Sequence, residues 1–391
     1  MNYRIWLKSI FDYFYKSRFN SYIAIDIRIS MTSSAVHQLV DSTISRIVES
    51  GQIPGIQYMV IDSHEIIYEY CGGRKDVSSD VPVTSDTTFM SSSTTKALTA
   101  AAVLQLNDRN KIDLAESLST YFPSHPYGPD IKINHLLNQT SGVPNPLPLK
   151  WLHLAEDHDS FDADKALQDV LERYSRLRFN PGSRYAYSNI SYWLLGKMIE
   201  QVSGMSYCDY MRQNILDPIG ISNKELDFQI PDKDNHACGH LRRFSALGFL
   251  IPFMMDRELI AEKAENRIRF KPVYMNGAPY GGLIGTARAF SKFLQDQLRP
   301  SSVLFDNETK KLFYAEQTDN RSRPLETTLG WHRGRSFGIE YYGKPGGGPG
   351  YQSNMRIYPS KGIATVWLAN ETGTSEGPIH KFTENLDKHF L

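Results

Sequence analysis

Cysteine is scarce in this chain of 391 residues: Cys71, Cys208 and Cys238 stand far apart and are odd in number. That excludes a disulfide framework and suits reduced thiols in a cytoplasm. Net charge is lacking too, because 43 basic side chains balance 43 acidic ones. Nothing therefore marks a nucleic-acid footprint or a funnel for strongly charged substrates. Spanning-length apolar runs are also missing. Residues 1–30 are aromatic and basic, but Lys8, Asp12, Lys16 and Arg18 interrupt them, which fits neither a signal peptide nor a spanning helix. They read as an extension ahead of a compact part beginning near Met31, with a basic amphipathic helix touching a membrane or a partner as the other reading. Ala246 to Met255 is an apolar run of ten residues, too short for a bilayer and expected in the core or in a pocket wall.

What is present alternates between two periodicities. Val36, Leu39, Val40, Ile44 and Ile47 recur at helical spacing before Gly51 and Pro54. Ile56 to Ile61 and Glu65 to Tyr70 read as a hairpin turning at Asp62-Ser63-His64. Near the other end, Arg335 to Tyr342, Gln352 to Tyr358 and Gly362 to Leu368 read as strands, followed by an amphipathic helix from His380 to Phe390. Strands at both ends with helices between them predict an α+β protein whose antiparallel sheet is built from both ends of the chain. The expected division is 31–90 with 280–391 for the sheet part and 91–279 for a mainly helical insertion.

Chemistry concentrates in Ser93-Thr94-Thr95-Lys96, which opens an almost wholly apolar segment running to Leu106. Residues three apart share a helix face, so the Ser93 hydroxyl and the Lys96 amine project together. With no further charge before Asp108, Lys96 is poorly solvated, and desolvation lowers a lysine pKa toward the range of a general base. The plain alternative is a capping serine and a snorkelling lysine. A second segment, Tyr187-Ser188-Asn189, offers a phenol for proton relay and an amide to hold a substrate. Gly281-Gly282-Leu283 permits close backbone approach. Gly343 to Gly350 is glycine-rich, but its Lys344 precedes most of the glycines, so it is no Walker loop.

Other groupings read as structural. His135, beside Leu136 and Leu137, is a packed histidine. His153, Glu156, Asp157 and His158 lie in a solvated loop. His236, Cys238 and His240 alternate on one strand face, like half a metal site without its fourth ligand. Gly373-Thr374-Ser375-Glu376-Gly377 matches a nucleophile elbow, yet only 14 residues follow it, too few for the acid and histidine such a site needs.

Ser93-x-x-Lys96, Tyr187-Ser188-Asn189 and Lys344-Pro345-Gly346, in that order, resemble the motifs of class C β-lactamase-like serine hydrolases, a family with esterases and D-amino-acid peptidases. The resemblance runs from about Ser34 onward and takes in Ile133 to Pro144, Phe179 to Gly196, Gly281-Gly282-Leu283, Gly330-Trp331 and Leu368-Ala369-Asn370. It implies a β-lactamase/transpeptidase-like fold and acyl transfer without metal or cofactor. By the same resemblance Ser93 is the nucleophile, Lys96 and Tyr187 share the proton, and Asn189 orients the substrate. Lys344 lies on a strand edge beside the site, with Gly346 next to Gly347, whose N–H completes an oxyanion hole with that of Ser93. Pro345 departs from the pattern by removing a hydroxyl. The implied substrate is a small ester, an amide or a short peptide. The alternatives are a D,D-peptidase or β-lactamase and a non-catalytic scaffold.

Overall fold

The computed structural model describes residues 33–146, 150–373 and 377–391, with side chains omitted at 252–254. The expected N-terminal extension and the centre of the Gly373–Gly377 pentapeptide lie outside these residues. A six-stranded antiparallel sheet forms the frame. Its strands are β1 (Gly55–Ile61), β2 (Ile66–Gly73), β3 (His332–Ser336), β4 (Ile339–Gly348), β5 (Tyr351–Tyr358) and β6 (Ile363–Ala369). Their order across the sheet is β3-β4-β5-β6-β1-β2, so early and late segments meet where Ile56 pairs with Ala369.

The period of two in these strands makes two buried faces. Ile56, Tyr58 and Val60 of β1 join Trp367 and Ala369 in an outer cluster, whereas Met59 and Ile61 join Val366 and Leu368 in the main core. Helix α1 (Ser33–Glu49) covers the outer face with Val40, Ile44 and Ile47, an i, i+4, i+7 stripe. Helices α2 (Thr95–Asp108), α3 (Asn189–Ser203) and, after α4 (Ala246–Met254), α5 (Ala287–Leu298) share the main core, and α5 lies against β1, β5 and β6. Helix α6 (Pro378–Asp387) closes the outer face with Leu386. Every residue of α2 from Thr95 to Leu106 is buried, so the helix runs through the core rather than along it.

Two expectations change and one is kept. The predicted strand 335–342 is two strands, because Phe337 and Gly338 at φ 50° and 80° make a two-residue hairpin turn. A phenylalanine in that conformation gives no turn signal. The glycine stretch after Gly343 is strand, as the placing of Lys344 on a strand edge implied: β4 runs through Lys344-Pro345-Gly346-Gly347-Gly348, paired residue by residue with β5. Finally, α4 is not simply core, since Phe249 and Leu250 face water.

Candidate active site

Ser93 sits in a single tight turn, Ser92–Thr94, immediately ahead of α2. Ser92 has φ 50°, a left-handed conformation costly for a serine. Neighbours hold the turn there: the Ser91 N–H and hydroxyl both donate to Leu283 O (2.9 and 2.8 Å), and Ser353 Oγ donates to Ser91 O at 2.6 Å. Gly346 permits this contact, because a Cβ on it would lie 2.3 Å from Ser91 O and 3.1 Å from the Ser93 nitrogen. Strand β4 is thereby pressed against the nucleophile turn.

Lys96, in the first turn of α2, places Nζ 3.0 Å from Ser93 Oγ and 2.5 Å from Tyr280 O. Tyr187 Oη lies 2.7 Å from the same Ser93 oxygen. Ser93 and Tyr187 are partly exposed, while Lys96 and Lys344 are buried beneath them. Tyr187 is held by the preceding Ile133–Pro144 segment. Gln139, itself at φ 63°, accepts from Ala186 N at its carbonyl and from Ser188 N at Oε1, and Ser188 Oγ donates to Pro144 O. Asn189 opens α3 with its N–H on Asn145 Oδ1, while its own buried Oδ1 has no partner among the described residues.

Burial, reinforced by the charge of Lys344, holds the Lys96 pKa well below that of an ordinary amine. Burial likewise brings Lys344 down to about 7. It pushes Tyr187 upward, opposed in part by the Ser93 hydrogen bond. Among the described residues, neither lysine forms an ion pair with a carboxylate. Lys344 Nζ lies 5.8 Å from the Tyr187 ring centre and 5.7 Å from that of Tyr192. In its neutral form Lys96 would donate to Tyr280 O and keep a lone pair for the Ser93 proton, leaving the Tyr187 phenol to donate to Ser93 Oγ.

The open edge of β4 supplies a further donor. Strand β3 pairs with β4 only as far as Gly343, whereas β5 pairs along it to Gly348. Lys344 to Gly348 thus have one side free of any strand. Pro345 has no N–H and is tolerated in a strand only where that position faces an open edge. By the period of two, the Gly347 N–H points to the same open side, next to Ser93.

Ser93, Lys96, Tyr187 and Lys344 therefore converge, with Asn189, Gly346 and Gly347 beside them. Sequence reading missed Tyr280, whose carbonyl anchors Lys96; its only signal was the adjoining Gly281-Gly282. It also missed His332, whose ring is 6.3 Å from that of Tyr185 and whose pKa falls to about 3 through burial, Lys344 and Lys96. His135 is the packed histidine expected, its Nδ1 accepting from Lys132 N. His236, Cys238 and His240 do not share the strand face expected of them: His236 turns to Thr88 and Tyr351, and Cys238 and His240 meet Asp76. Protein groups already occupy that cluster, since His240 bonds Asn370 O and Val77 N while Asp76 pairs with Arg269. Nor are His153 and His158 in a plain solvated loop; they are hydrogen-bonded to each other at 2.9 Å.

Comparison with known proteins fits this arrangement. Penicillin-binding protein 4* of Bacillus subtilis (strain 168) is 24% identical over 332 residues, 81% of this chain and 68% of its own length. Protein flp of Staphylococcus aureus (strain COL) is 27% identical over 191 residues, 48% of this chain, which spans only 37% of that protein. The structure of D-amino acid amidase from Ochrobactrum anthropi SV3 complexed with L-phenylalanine amide superposes with a TM-score of 0.74 at 20% identity, covering 91% of this chain and 98% of the amidase. A class C beta-lactamase superposes at 0.69 with 16% identity, covering 93% and 97%. At such identities the structural likenesses establish the fold. The family model described as Beta-lactamase matches residues 40–388, and the chain belongs to that family.

Proposed function

We propose that this protein is a serine hydrolase that cleaves small esters or amides through an acyl-Ser93 intermediate. The observation that carries the reading is the contact of Ser93 Oγ with both Lys96 Nζ and Tyr187 Oη, at 3.0 and 2.7 Å, above a fully buried lysine without a carboxylate partner among the described residues. Neutral Lys96 takes the Ser93 proton as the oxygen attacks the carbonyl carbon. The N–H groups of Ser93 and Gly347 hold the resulting oxyanion, each worth about 3 kcal/mol in the transition state. Tyr187 passes a proton to the leaving oxygen or nitrogen and is reprotonated from Lys96. Water then attacks the acyl-serine along the reverse relay.

The uncovered edge of β4 favours an extended, amide-bearing substrate, which adds to a free strand edge through its backbone groups. Asn189 Oδ1 is an unused acceptor for a substrate N–H. A second reading, a D,D-peptidase or β-lactamase, draws on Lys344, whose buried amine matches a substrate carboxylate; Pro345 weighs against it by lacking a hydroxyl at the same edge. Three free thiols agree with a reducing, cytoplasmic setting. The test is intact-mass analysis after separate exposure to a fluorophosphonate, a p-nitrophenyl ester and a penicillin. An adduct mapped to Ser93 with the first two supports the hydrolase, a stable penicilloyl adduct moves the assignment to the second reading, and no adduct with any probe leaves a scaffold.

A further inference from the structure

The ring of Tyr185 takes no part in the proposed reaction, yet it stands two residues from Tyr187. Among the described residues it is the one exposed tyrosine, at 39%; every other is buried or half-buried. Its backbone is fixed by the bonds that hold Tyr187, since Ala186 N and Ser188 N both donate to Gln139. A negative charge on Tyr185 would raise the pKa of Tyr187 and of Tyr192, so its hydroxyl lies near both. Among the described residues its one ring contact is His332, which it meets edge-on at 70°.

His332 marks where the free edge of β4 ends. The chain folds back just before it: Gly330 N donates to Thr328 O and Thr328 N to Trp331 O, with Gly330 at φ 111°. Gly330 also lies so close to α2 that a Cβ on it would be 2.6 Å from Ala100 Cβ. Trp331 is buried against Phe293 and Phe313, which pins the start of β3. His332 then pairs with Gly343, and beyond Gly343 the edge of β4 is free to Gly348. A substrate lying along that edge from Gly347 therefore runs into His332 after about 13 Å, at a strand's rise of about 3.3 Å per residue.

The two rings at this stop carry no charge. Burial, with the charges of Lys344 and Lys96, brings the His332 pKa to about 3 and leaves its imidazole neutral. Neighbouring cations are already engaged: Arg333 pairs with Glu316 and Glu340, and the Arg184 guanidinium stacks on Phe179 at 4.5 Å. A neutral corner of two rings, one of them exposed, fits the face or edge of a third aromatic ring better than a saturated group of the same size.

We propose that Tyr185 and His332 form a leaving-group subsite that selects substrates whose departing alcohol or amine ends in an aromatic ring. The side follows from Tyr187, which protonates the departing atom in the proposed reaction. This deepens the acyl-Ser93 reading and rests on it. The test compares kcat/KM for 4-phenylbutyl acetate with that for 4-cyclohexylbutyl acetate, whose departing alcohols differ only in the ring. The wild-type protein is expected to favour the phenyl ester by about three- to tenfold, the range of an aromatic pair beyond its buried area. Tyr185→Leu, which keeps apolar bulk without a ring, takes the ratio to about one; Tyr185→Phe restores it, and His332→Leu about halves it. The alcohol has left before water attacks, so rapid-mixing rates of acetyl-enzyme breakdown should be the same for both esters and in Tyr185→Leu. Ethyl 5-phenylpentanoate and ethyl 5-cyclohexylpentanoate carry the ring on the acyl side instead, and Tyr185→Leu should not alter their ratio. Circular dichroism verifies that each variant is folded. A wild-type ratio near one, a ratio that survives Tyr185→Leu, or a change in the acyl-side pair instead overturns the proposal. Breakdown slowed as much as acylation in Tyr185→Leu overturns it too, because Tyr185 would then act only by supporting Tyr187. If Ser93 is labelled by a fluorophosphonate and the ratio is still one, the subsite alone falls. If Ser93 is not labelled and no ester is turned over, the acyl-enzyme reading falls and takes the subsite with it.

Discussion

Lys344 and Arg356 stand on neighbouring strands and are both buried, at 2% and 1% exposure, yet they are treated in opposite ways. Lys344 pairs in register with Met355 and shares its inner face; Arg356 pairs with Gly343 and faces outward. Beneath α6, Arg356 Nη1 meets Asp387 Oδ2 at 2.6 Å, and the same carboxylate accepts from Tyr58 Oη at 2.8 Å and Tyr358 Oη at 2.7 Å. Burial alone would lower the Arg356 pKa, but Asp387 and its neighbours carry it above the ordinary value. Lys344 has no such partner among the described residues and drops to about 7. One buried cation is neutralised by an anion and ties a helix to a sheet. The other, like Lys96, is left able to lose its proton, the state that the proposed acyl transfer needs of Lys96.

The sharpest way to separate the two faces is to disable the inner one alone. Ser93→Ala should lower turnover by about 10⁴ to 10⁶ while thermal unfolding stays as in the wild type; near-normal rates would mean that Ser93 is not the nucleophile. The reciprocal change is Asp387→Ala, which strands the Arg356 guanidinium in the outer core. A loss of about 3–5 kcal/mol in urea unfolding is expected, with kcat per folded molecule retained below the transition. Activity falling as steeply as in Ser93→Ala would erase the distinction between faces.

Tyr187→Phe removes the hydroxyl 2.7 Å from Ser93 Oγ but not the ring beside Lys96. Pre-steady-state kinetics should reveal a fall of about 10² to 10⁴, smallest for esters with good leaving groups, which need no proton. An equal loss for good and poor leaving groups would remove Tyr187 from the relay.

Lys344→Met tests the cost of an unpaired lysine. Between about pH 7 and the ordinary lysine pKa near 10.4, the unfolded chain holds a proton that the folded protein has released. Wild-type stability therefore rises with pH across that window. The methionine variant should be more stable than wild type, with the full difference below pH 7 and none above about pH 10.5. KM should rise about tenfold to a hundredfold for carboxylate-bearing substrates only, and mostly below pH 7, where the amine is charged. Equal KM changes for neutral esters would refute the carboxylate anchor.

Much of this was legible because the chemistry is local. Ser93 and Lys96 are three residues apart, and a buried helix was readable in the run to Leu106, so their contact followed from helix geometry. The hairpin at Asp62 was likewise readable, and Asp62 Oδ1 does accept from His64 N and Glu65 N. What escaped depends on partners distant in sequence. The strand through Gly346 and Gly347 was implied only by the family resemblance, since it has almost no side-chain signal of its own; its fit against Ser91 and pairing with β5 explain it. His158 looked solvated because Asn276, which orients it through His153, is more than a hundred residues away. Helix α4 misled for the opposite reason: its composition promised burial, but Phe249 remains 64% exposed.

The closure of the sheet by its two ends has a temporal consequence. Tyr58 and Asp387, which bond across the outer core, are separated by 329 positions in the chain, and β1 has β6 as one of its two neighbours. During synthesis, the turn bearing Ser93 is made well before β4 and β5, which brace it and begin only at Ile339. Such long-range pairing is slow to form and leaves early strands with exposed edges until it does. A nascent chain stalled before residue 347 would carry the serine, the lysine and the tyrosine yet lack the Gly347 N–H, so the proposed hydrolysis would have to wait for β4.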